Sequence, residues 1–290
     1  MDKSISAFAH ESIKRRRWRP ALRLLGAWLA SALALGATGL GAASAQTRVD
    51  LELVIAVDVS LSMDLDEQRL QREGYEAAFR DPELQHAITS GTYGRIAVVY
   101  VEWAGPSWQA VTIPWTVIDS AAGARAFADR LAAQPISRQR LTSIGAVLHF
   151  AKSLLADSGS VGLRRVIDVS GDGPNNSGPP VAAARDVLVA DGIIVNGLPI
   201  MLKVSSPSFF DLTDLDRYYA ACVIGGPGAF MVPVKEIDEL KSAIRRKLLL
   251  EISGWGPPPR VIPAQAAASE GYDCMVGERQ WRWYLDGGPN

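Results

Sequence analysis

The sequence has little of what zinc sites and serine hydrolases need. It contains only two cysteines and three histidines, and His86 and His149 are the only histidines after residue 45. Neither of them has another metal-binding side chain at a ligand-like spacing. The Gly-x-Ser-x-Gly motif that carries the nucleophile of α/β-hydrolases is also missing. The sequence therefore argues against a histidine–cysteine metal site and against a serine hydrolase of that kind.

Positive charge is scarce outside the N-terminal segment. The 290 residues have a formal net charge of −1, but residues 1–45 hold seven Lys or Arg and only two acids. The remainder therefore has a net charge of −6. A mildly acidic surface repels phosphate backbones, so we expect no nucleic-acid partner. The hydrophobic fraction of 48% is that of an ordinary globular protein, and the length allows one large α/β domain or two small ones.

The N-terminal segment has the three parts of a secretory signal. Basic residues at 14–19 precede an apolar run at 24–35, and Ala43-Ser44-Ala45 follows as an Ala-x-Ala cleavage site. The alternative is an uncleaved membrane anchor, because residues 24–45 are uncharged. The second half of that run is mostly Gly, Ala, Ser and Thr, which favours cleavage. We predict a signal peptide at 1–45 and an exported protein, periplasmic or secreted after cleavage near Ala45.

Export would allow the two cysteines to form a disulfide. Cys222 and Cys274 both lie in the mature part, and an oxidising compartment permits disulfides. We predict a Cys222–Cys274 bridge, with two unrelated buried thiols as the alternative.

Apolar strand-like runs alternate with helical patterns over residues 46–253, without an internal repeat. This alternation predicts an α/β fold of Rossmann type, with a mostly parallel central sheet and helices on both faces. Residues 108–115, which contain Pro114, are predicted to form one antiparallel edge strand. Residues 254–290 are predicted to be a Pro-rich linker and a C-terminal tail, whose aromatic residues Trp281, Trp283 and Tyr284 pack on the domain.

Oxygen-bearing side chains follow three of the predicted strand-to-helix junctions. Residues 54–57 are predicted to form a buried strand, and the motif Asp-x-Ser-x-Ser follows it. Thr142, with Ser143 as its alternative, precedes the predicted helix at 144–156. Asp172 follows the predicted strand at 166–170. The carboxyl ends of parallel strands are where α/β folds bind ligands. The candidate metal ligands are Asp58, Ser60, Ser62, Thr142 and Asp172.

Two carboxylates and three hydroxyls are hard donors that suit a divalent cation, with Mg²⁺ preferred over Mn²⁺ or Ca²⁺. Only two formal negative charges would face the cation. The cation would therefore stay electrophilic and could accept an acidic side chain from a protein partner.

The order and spacing of these residues resemble the metal-ion-dependent adhesion site (MIDAS) of von Willebrand factor A (VWA) domains. Residues 168–176, 196–200 and 222–228 are similar to an exported bacterial VWA-like subgroup of unknown function. The resemblance covers residues 50–253 and implies a central sheet flanked by helices, a divalent cation, and protein binding through a partner's Asp or Glu. Gly171 stands where the family commonly has Thr, which removes a hydroxyl beside the site.

Acidic residues outside this set have structural explanations. Asp168 lies inside an apolar strand, where an unpaired carboxylate is costly, and we expect it to be a structural polar group. Asp64, Asp66 and Glu67 could form a second cation site, but acids at a helix start are more often explained by the helix dipole.

Two alternatives to the binding module remain open. One is a metal-assisted hydrolase with Ser60, Ser62 or Ser170 as nucleophile, although no general base is evident. The other is a metal-free structural domain that assembles through its tail aromatics. The sequence favours a protein that is not an enzyme.

Overall fold

Strand β1 (Thr47–Asp58) lies in the interior of the sheet in this computed structural model, which describes residues 46–202, 209–254, 262–263 and 271–287. It pairs in parallel with β2 (Ile96–Trp103) on one side and with β4 (Ser160–Gly171) on the other. The last ten residues of β1 are buried, as expected for a parallel strand that is covered on both faces. The strand predicted at 54–57 is confirmed.

The sheet of the described chain has the order β3-β2-β1-β4-β5-β6-β7. Its remaining strands are β3 (Gln109–Ile118), β5 (Ile194–Pro199), β6 (Phe230–Met231) and β7 (Ile262–Pro263). The antiparallel edge strand predicted around Pro114 is confirmed as β3, which pairs only with β2. A second antiparallel pair, β6 with β7, closes the opposite edge and was not predicted.

Helices cover both faces of the sheet, as predicted. They are α1 (Leu65–Arg80), α2 (Pro82–Thr89), α3 (Ala121–Ala132), α4 (Ile144–Ala156), α5 (Val181–Ala190), α6 (Leu215–Tyr218), α7 (Leu240–Ser253) and α8 (Val276–Leu285). Alternate residues of β1 divide the core in two. Leu53 and Ile55 pack with α1, α3 and α7, whereas Val54 and Ala56 pack with α4 and α5. The fold is therefore a three-layer α/β arrangement.

The C-terminal tail is covalently attached to the domain. Cys222 and Cys274 form a disulfide with their Cα atoms 5.5 Å apart, so the predicted bridge is confirmed. Tail aromatics pack as expected: the ring centroids of Trp281 and Phe210 are 5.6 Å apart. Residues 1–45, the predicted signal, lie outside the described residues. No described helix is long and apolar enough to cross a membrane.

A buried ionic cluster joins α7 to the middle of the sheet. Lys247 of α7 forms ion pairs with Asp168 of β4 and with Glu251, the latter at 2.5 Å between Nζ and Oε1. Asn196 of β5 donates from Nδ2 to the same Oε1 at 3.0 Å. All four side chains are buried. Asp168 is thus the structural group that the sequence suggested, and its partner is a lysine 79 residues further along the chain.

This cluster predicts a pH-dependent stability. Burial and the nearby charge of Asp168 raise the pKa of Glu251 from 4.5 to about 7. A carboxyl whose pKa is higher in the folded state stabilises the fold while it is protonated, and that contribution is lost as the pH rises through 7. We expect the free energy of unfolding to fall by roughly 2 to 3 kcal/mol between about pH 5 and pH 8, measured by urea unfolding.

Glu251→Gln is the matched variant for this measurement. The amide oxygen can still accept from Asn196, but the titrating group is gone and a neutral Lys247–Asp168 pair remains. The nearby phenol of Tyr75 stays neutral, because burial raises its pKa well above the ordinary value. The variant should therefore lack this part of the pH dependence. An identical slope in the wild type and in Glu251→Gln would show that the proton is not on Glu251.

Candidate metal centre

The site begins where β1 ends. Asp58 is the last residue of β1 and is fully buried. Its Oδ1 accepts from the backbone N–H of Ser60 at 2.7 Å, which turns the chain at the edge of the sheet. Gln68 of α1 donates from Nε2 to the Ser60 carbonyl at 3.2 Å and holds the turn from the other side. The turn therefore presents side-chain oxygens of Asp58 and Ser60 at the carboxyl end of the central strand.

Hydrogen bonds connect the Ser residues of this turn to the end of β4. The Oγ atoms of Ser60 and Ser62 are 2.7 Å apart, and Ser62 donates from Oγ to Oδ1 of Asp172 at 2.6 Å. Asp172 directly follows β4, the parallel neighbour of β1. Four of the five predicted ligands are thus brought together, although 110 residues separate Ser62 from Asp172.

Thr142 approaches the same place from the segment before α4. Its N–H donates to Oδ1 of Asn176, and its carbonyl accepts from the N–H of Asn176, both at 2.9 Å. These two bonds tie Thr142 to the loop that carries Asp172. Thr142 also lines a cavity together with Ser60 and Ser62. Ser143, the alternative to Thr142, is fully buried and donates from Oγ to the Ser177 carbonyl at 2.7 Å, so its hydroxyl is used elsewhere.

Position 171 favours glycine for a steric reason that the sequence did not reveal. A Cβ at this position would lie 2.9 Å from Oδ2 of Asp58 and 3.0 Å from the hydroxyl oxygen of Tyr219. The Thr that VWA domains commonly have here would therefore place its Cβ too close to the Asp58 carboxylate, with the Tyr219 phenol as the next nearest contact. Burial, and then the charge of Asp58, raise the pKa of Tyr219 well above its ordinary value, so the phenol is protonated. Tyr219 thus places a hydroxyl beside the site, and no spacing pattern in the sequence pointed to it.

The acids at 64–67 start a helix. Asp64 caps α1 by accepting from the N–H groups of Asp66 and Glu67, and Glu67 accepts in return from the Asp64 N–H. This reciprocal arrangement is a capping box, which satisfies backbone donors at the first turn. The contacts match the helix-start interpretation and not a second cation site.

Ser170, one of the candidate nucleophiles of the hydrolase alternative, faces the core. It is fully buried, and its Oγ accepts from Nε2 of Gln71 at 2.9 Å and donates to the Ala56 carbonyl at 3.4 Å. Its hydroxyl is therefore engaged in internal hydrogen bonds away from solvent.

Comparison with known proteins identifies the family. Residues 48–256 match the sequence model of the family described as "Protein of unknown function (DUF1194)". The chain belongs to this family. Its fold is VWA-like, with a mostly parallel sheet between helices, as the sequence predicted. A search of curated proteins found no match.

Solved structures share this family member's fold at low sequence identity. The pilus adhesin SpaC from Lactobacillus rhamnosus GG has a TM-score of 0.54 at 13% identity, over 71% of this chain and 31% of the adhesin. Proximal thread matrix protein 1 from the mussel byssus has a TM-score of 0.50 at 14% identity, over 72% of this chain and 49% of that chain. A von Willebrand factor type A protein from Catenulispora acidiphila gives 0.46 at 15% identity, over 70% and 43%. The chain spans less than half the length of each of these proteins.

The oxygen donors of the candidate metal centre suit a hard divalent cation. The described part of the chain has no group of three or more His, Cys, Asp or Glu side chains that could hold a metal, so a site here would draw on the hydroxyls of Ser60, Ser62 and Thr142. Ser60, Ser62 and Asp172 are joined by hydrogen bonds of 2.7 and 2.6 Å, which bring three oxygen donors within reach of one cation.

Proposed function

We propose that this protein is an exported protein-binding module that holds a divalent cation, Mg²⁺, and binds an acidic side chain of a protein partner through it. The observation that carries the proposal is the chain of oxygens Ser60–Ser62–Asp172 at the carboxyl edge of the sheet, with Asp58 and Thr142 beside it. These five residues would hold the cation directly or through water. When bound, the cation supplies a Lewis-acidic position for a carboxylate.

Charge supports a role in binding. The two carboxylates of Asp58 and Asp172 match the charge of a divalent cation, so the loaded site is close to neutral and can take a third carboxylate without strong repulsion. Three or four protein carboxylates would make the site anionic and would repel an acidic partner. The use of Ser and Thr as ligands is therefore suited to an incoming Asp or Glu.

The disulfide supports export. Cys222–Cys274 is a structural bridge, and such bridges persist in the periplasm and outside the cell, whereas cytosolic thiols are kept reduced. This agrees with a signal peptide at residues 1–45. We propose a periplasmic or secreted location, with cleavage near Ala45.

Magnesium should stabilise the protein, and the effect should depend on Asp172. A ligand that binds only the folded state at 100 times its Kd raises the free energy of unfolding by about 2.7 kcal/mol. We expect a thermal-shift or calorimetric titration with Mg²⁺ to show this gain for the wild type and none for Asp172→Asn. The amide keeps the size of the side chain and removes one of the two charges that attract the cation.

Asp66→Asn is the matched control, because Asp66 is a surface acid on α1 that pairs with Arg69 and not with the site. Its Mg²⁺ response should equal that of the wild type. Capture from an envelope extract provides a second measurement: a partner should be retained in Mg²⁺ and released by EDTA, and Asp172→Asn should not retain it. A wild type without any Mg²⁺ response, or an unchanged response in Asp172→Asn, would overturn the site assignment.

A further inference from the structure

The C-terminal tail is fastened to the loop that carries Asp172. Asn175, three residues after Asp172, donates from Nδ2 to Oε1 of Glu278 on α8 at 2.6 Å. The α8 backbone lies directly against this loop, because a Cβ on Gly277 would come within 2.2 Å of the Asn175 carbonyl oxygen. Together with the disulfide at Cys274, these contacts hold α8 next to the candidate metal centre.

The docked tail completes a cleft over the candidate ligands. A cavity of about 480 Å³ is lined by the polar residues Ser60, Ser62 and Thr142. Trp281 of the tail and Phe210 line it together with Leu61 and Leu141. Phe210 and Leu61 are 37% and 48% exposed, so apolar surface remains open to solvent beside a polar site. An apolar cavity with a few convergent polar groups is typical of a binding site.

The backbone of Leu141 is strained at this cleft. Its φ of 69° is in the left-handed region, and it is the only non-glycine residue with a positive φ in the described part of the chain. For a bulky residue this conformation is costly, and strained residues of this kind cluster at functional sites. The strained backbone directly precedes Thr142 and makes Leu141 part of the cleft wall.

Charge at the rim of the cleft is mixed. Arg140 is exposed, lines the cavity, and forms no ion pair with any described residue. Asp211 is the acid of the same lining. With a cation at the site, its charge and those of Asp58 and Asp172 nearly cancel, so Arg140 leaves net positive charge beside Thr142. This favours an occupant that brings a carboxylate to that side.

We infer that the cleft binds a partner segment whose metal-binding Asp or Glu has an aromatic or large aliphatic side chain one or two residues away. The inference rests on the proposed function and deepens it, since it names the chemistry of the partner. The apolar side chain lies between Trp281 and Phe210 on one side and Leu61 and Leu141 on the other. A cavity of this volume is about 10 Å across, and residues two apart in an extended chain are separated by about 7 Å, so both side chains fit.

The probe for this inference is a displayed library of nonapeptides with a fixed central Asp and random flanks, selected on the full mature chain in Mg²⁺. We expect Trp, Phe, Tyr or Leu to be enriched within two positions of the Asp. The best peptide, made synthetically, should bind at least tenfold more weakly to Trp281→Ala, because buried aromatic residues dominate such interfaces. Phe210→Ala, on a different segment, should weaken binding in the same direction.

Trp283→Ala is the matched control. Trp283 lies two residues from Trp281 on the same helix, but its ring packs on Phe209, with centroids 4.6 Å apart, and it does not line the cavity. Its peptide affinity should be that of the wild type. The Mg²⁺ thermal shift should be unchanged in Trp281→Ala, which separates the cleft from the metal centre and shows that the variant is folded.

The outcomes distinguish the two proposals. Mg²⁺-dependent selection of Asp peptides without an apolar preference, or with an affinity that neither Trp281→Ala nor Phe210→Ala weakens, overturns the cleft and leaves the proposed function standing. Peptide binding that EDTA does not affect, or the absence of any Mg²⁺ response, overturns the proposed function itself.

Discussion

Replacing Lys247 by methionine should lower the free energy of unfolding by about 3 to 5 kcal/mol, the cost of removing one partner from a buried ion pair. Lys247 is fully buried and is the cation that faces Asp168 and Glu251. Burial raises the pKa of Asp168, so without the ammonium group this carboxyl must be desolvated as an anion or be protonated at neutral pH. Urea unfolding followed by circular dichroism measures the loss.

Lys241→Met is the matched control on the same helix. Lys241 pairs with Glu73 at 2.7 Å on the surface, where its side chain is 45% exposed, and an exposed pair contributes at most about 1 kcal/mol. Neutralising both acids together with Lys247, as Lys247→Met with Asp168→Asn and Glu251→Gln, should recover much of the lost stability. The explanation fails if Lys247→Met costs no more than Lys241→Met.

Removal of the disulfide should cost a similar amount. Cys222 and Cys274 are 52 residues apart, and the loop-entropy model assigns about 4 kcal/mol to a cross-link of this span. The double variant Cys222→Ala and Cys274→Ala avoids placing a hydroxyl in the core, where Cys222 is fully buried. Its free energy of unfolding in urea should be lower than that of the oxidised wild type by that amount.

The reductant supplies the control for this prediction. The wild type in reductant should unfold at the urea concentration of the double variant, and the variant itself should not respond to reductant. A double variant as stable as the oxidised wild type would show that the bridge contributes nothing beyond the other contacts of the tail. Since the tail forms one wall of the cleft, the same variant should also bind the selected Asp peptide more weakly.

Helices with a clear apolar stripe were predictable from local sequence alone. The patterns at 144–156 and 181–190 predict helices, and α4 and α5 have these bounds in the structure. Helix α2 was not predicted, because it is only eight residues long and follows α1 directly. The sequence feature that marks its start is Asp81 before Pro82, and in the structure Asp81 accepts from the N–H groups of Glu83 and Leu84.

The elements between residues 212 and 234 are shorter than the sequence predicts. The apolar residues at 228–234 predict a strand, but β6 contains only two residues. Val232 and Val234 still donate to the carbonyls of Gly197 and Pro199 on β5. Pro233 between them has no N–H, so this segment cannot donate to a strand on its other side. Similarly, the pattern at 212–221 predicts a short helix, but the structure has only the single turn of α6, followed by a π-helical turn at Tyr219–Val223.

The sequence by itself determined the α/β fold class and the placing of the candidate oxygen donors at strand-to-helix junctions, because these follow from local patterns and from the geometry of parallel strands. The disulfide was predicted from the presence of only two cysteines. Tertiary structure alone decided which distant groups meet: Lys247 with Asp168, Tyr219 with Gly171, and Trp281 with Thr142 across one cleft. Such pairs depend on how helices and tail pack on the sheet, and packing is set by the shape of the whole core. The spacing of residues along the chain therefore does not predict these contacts.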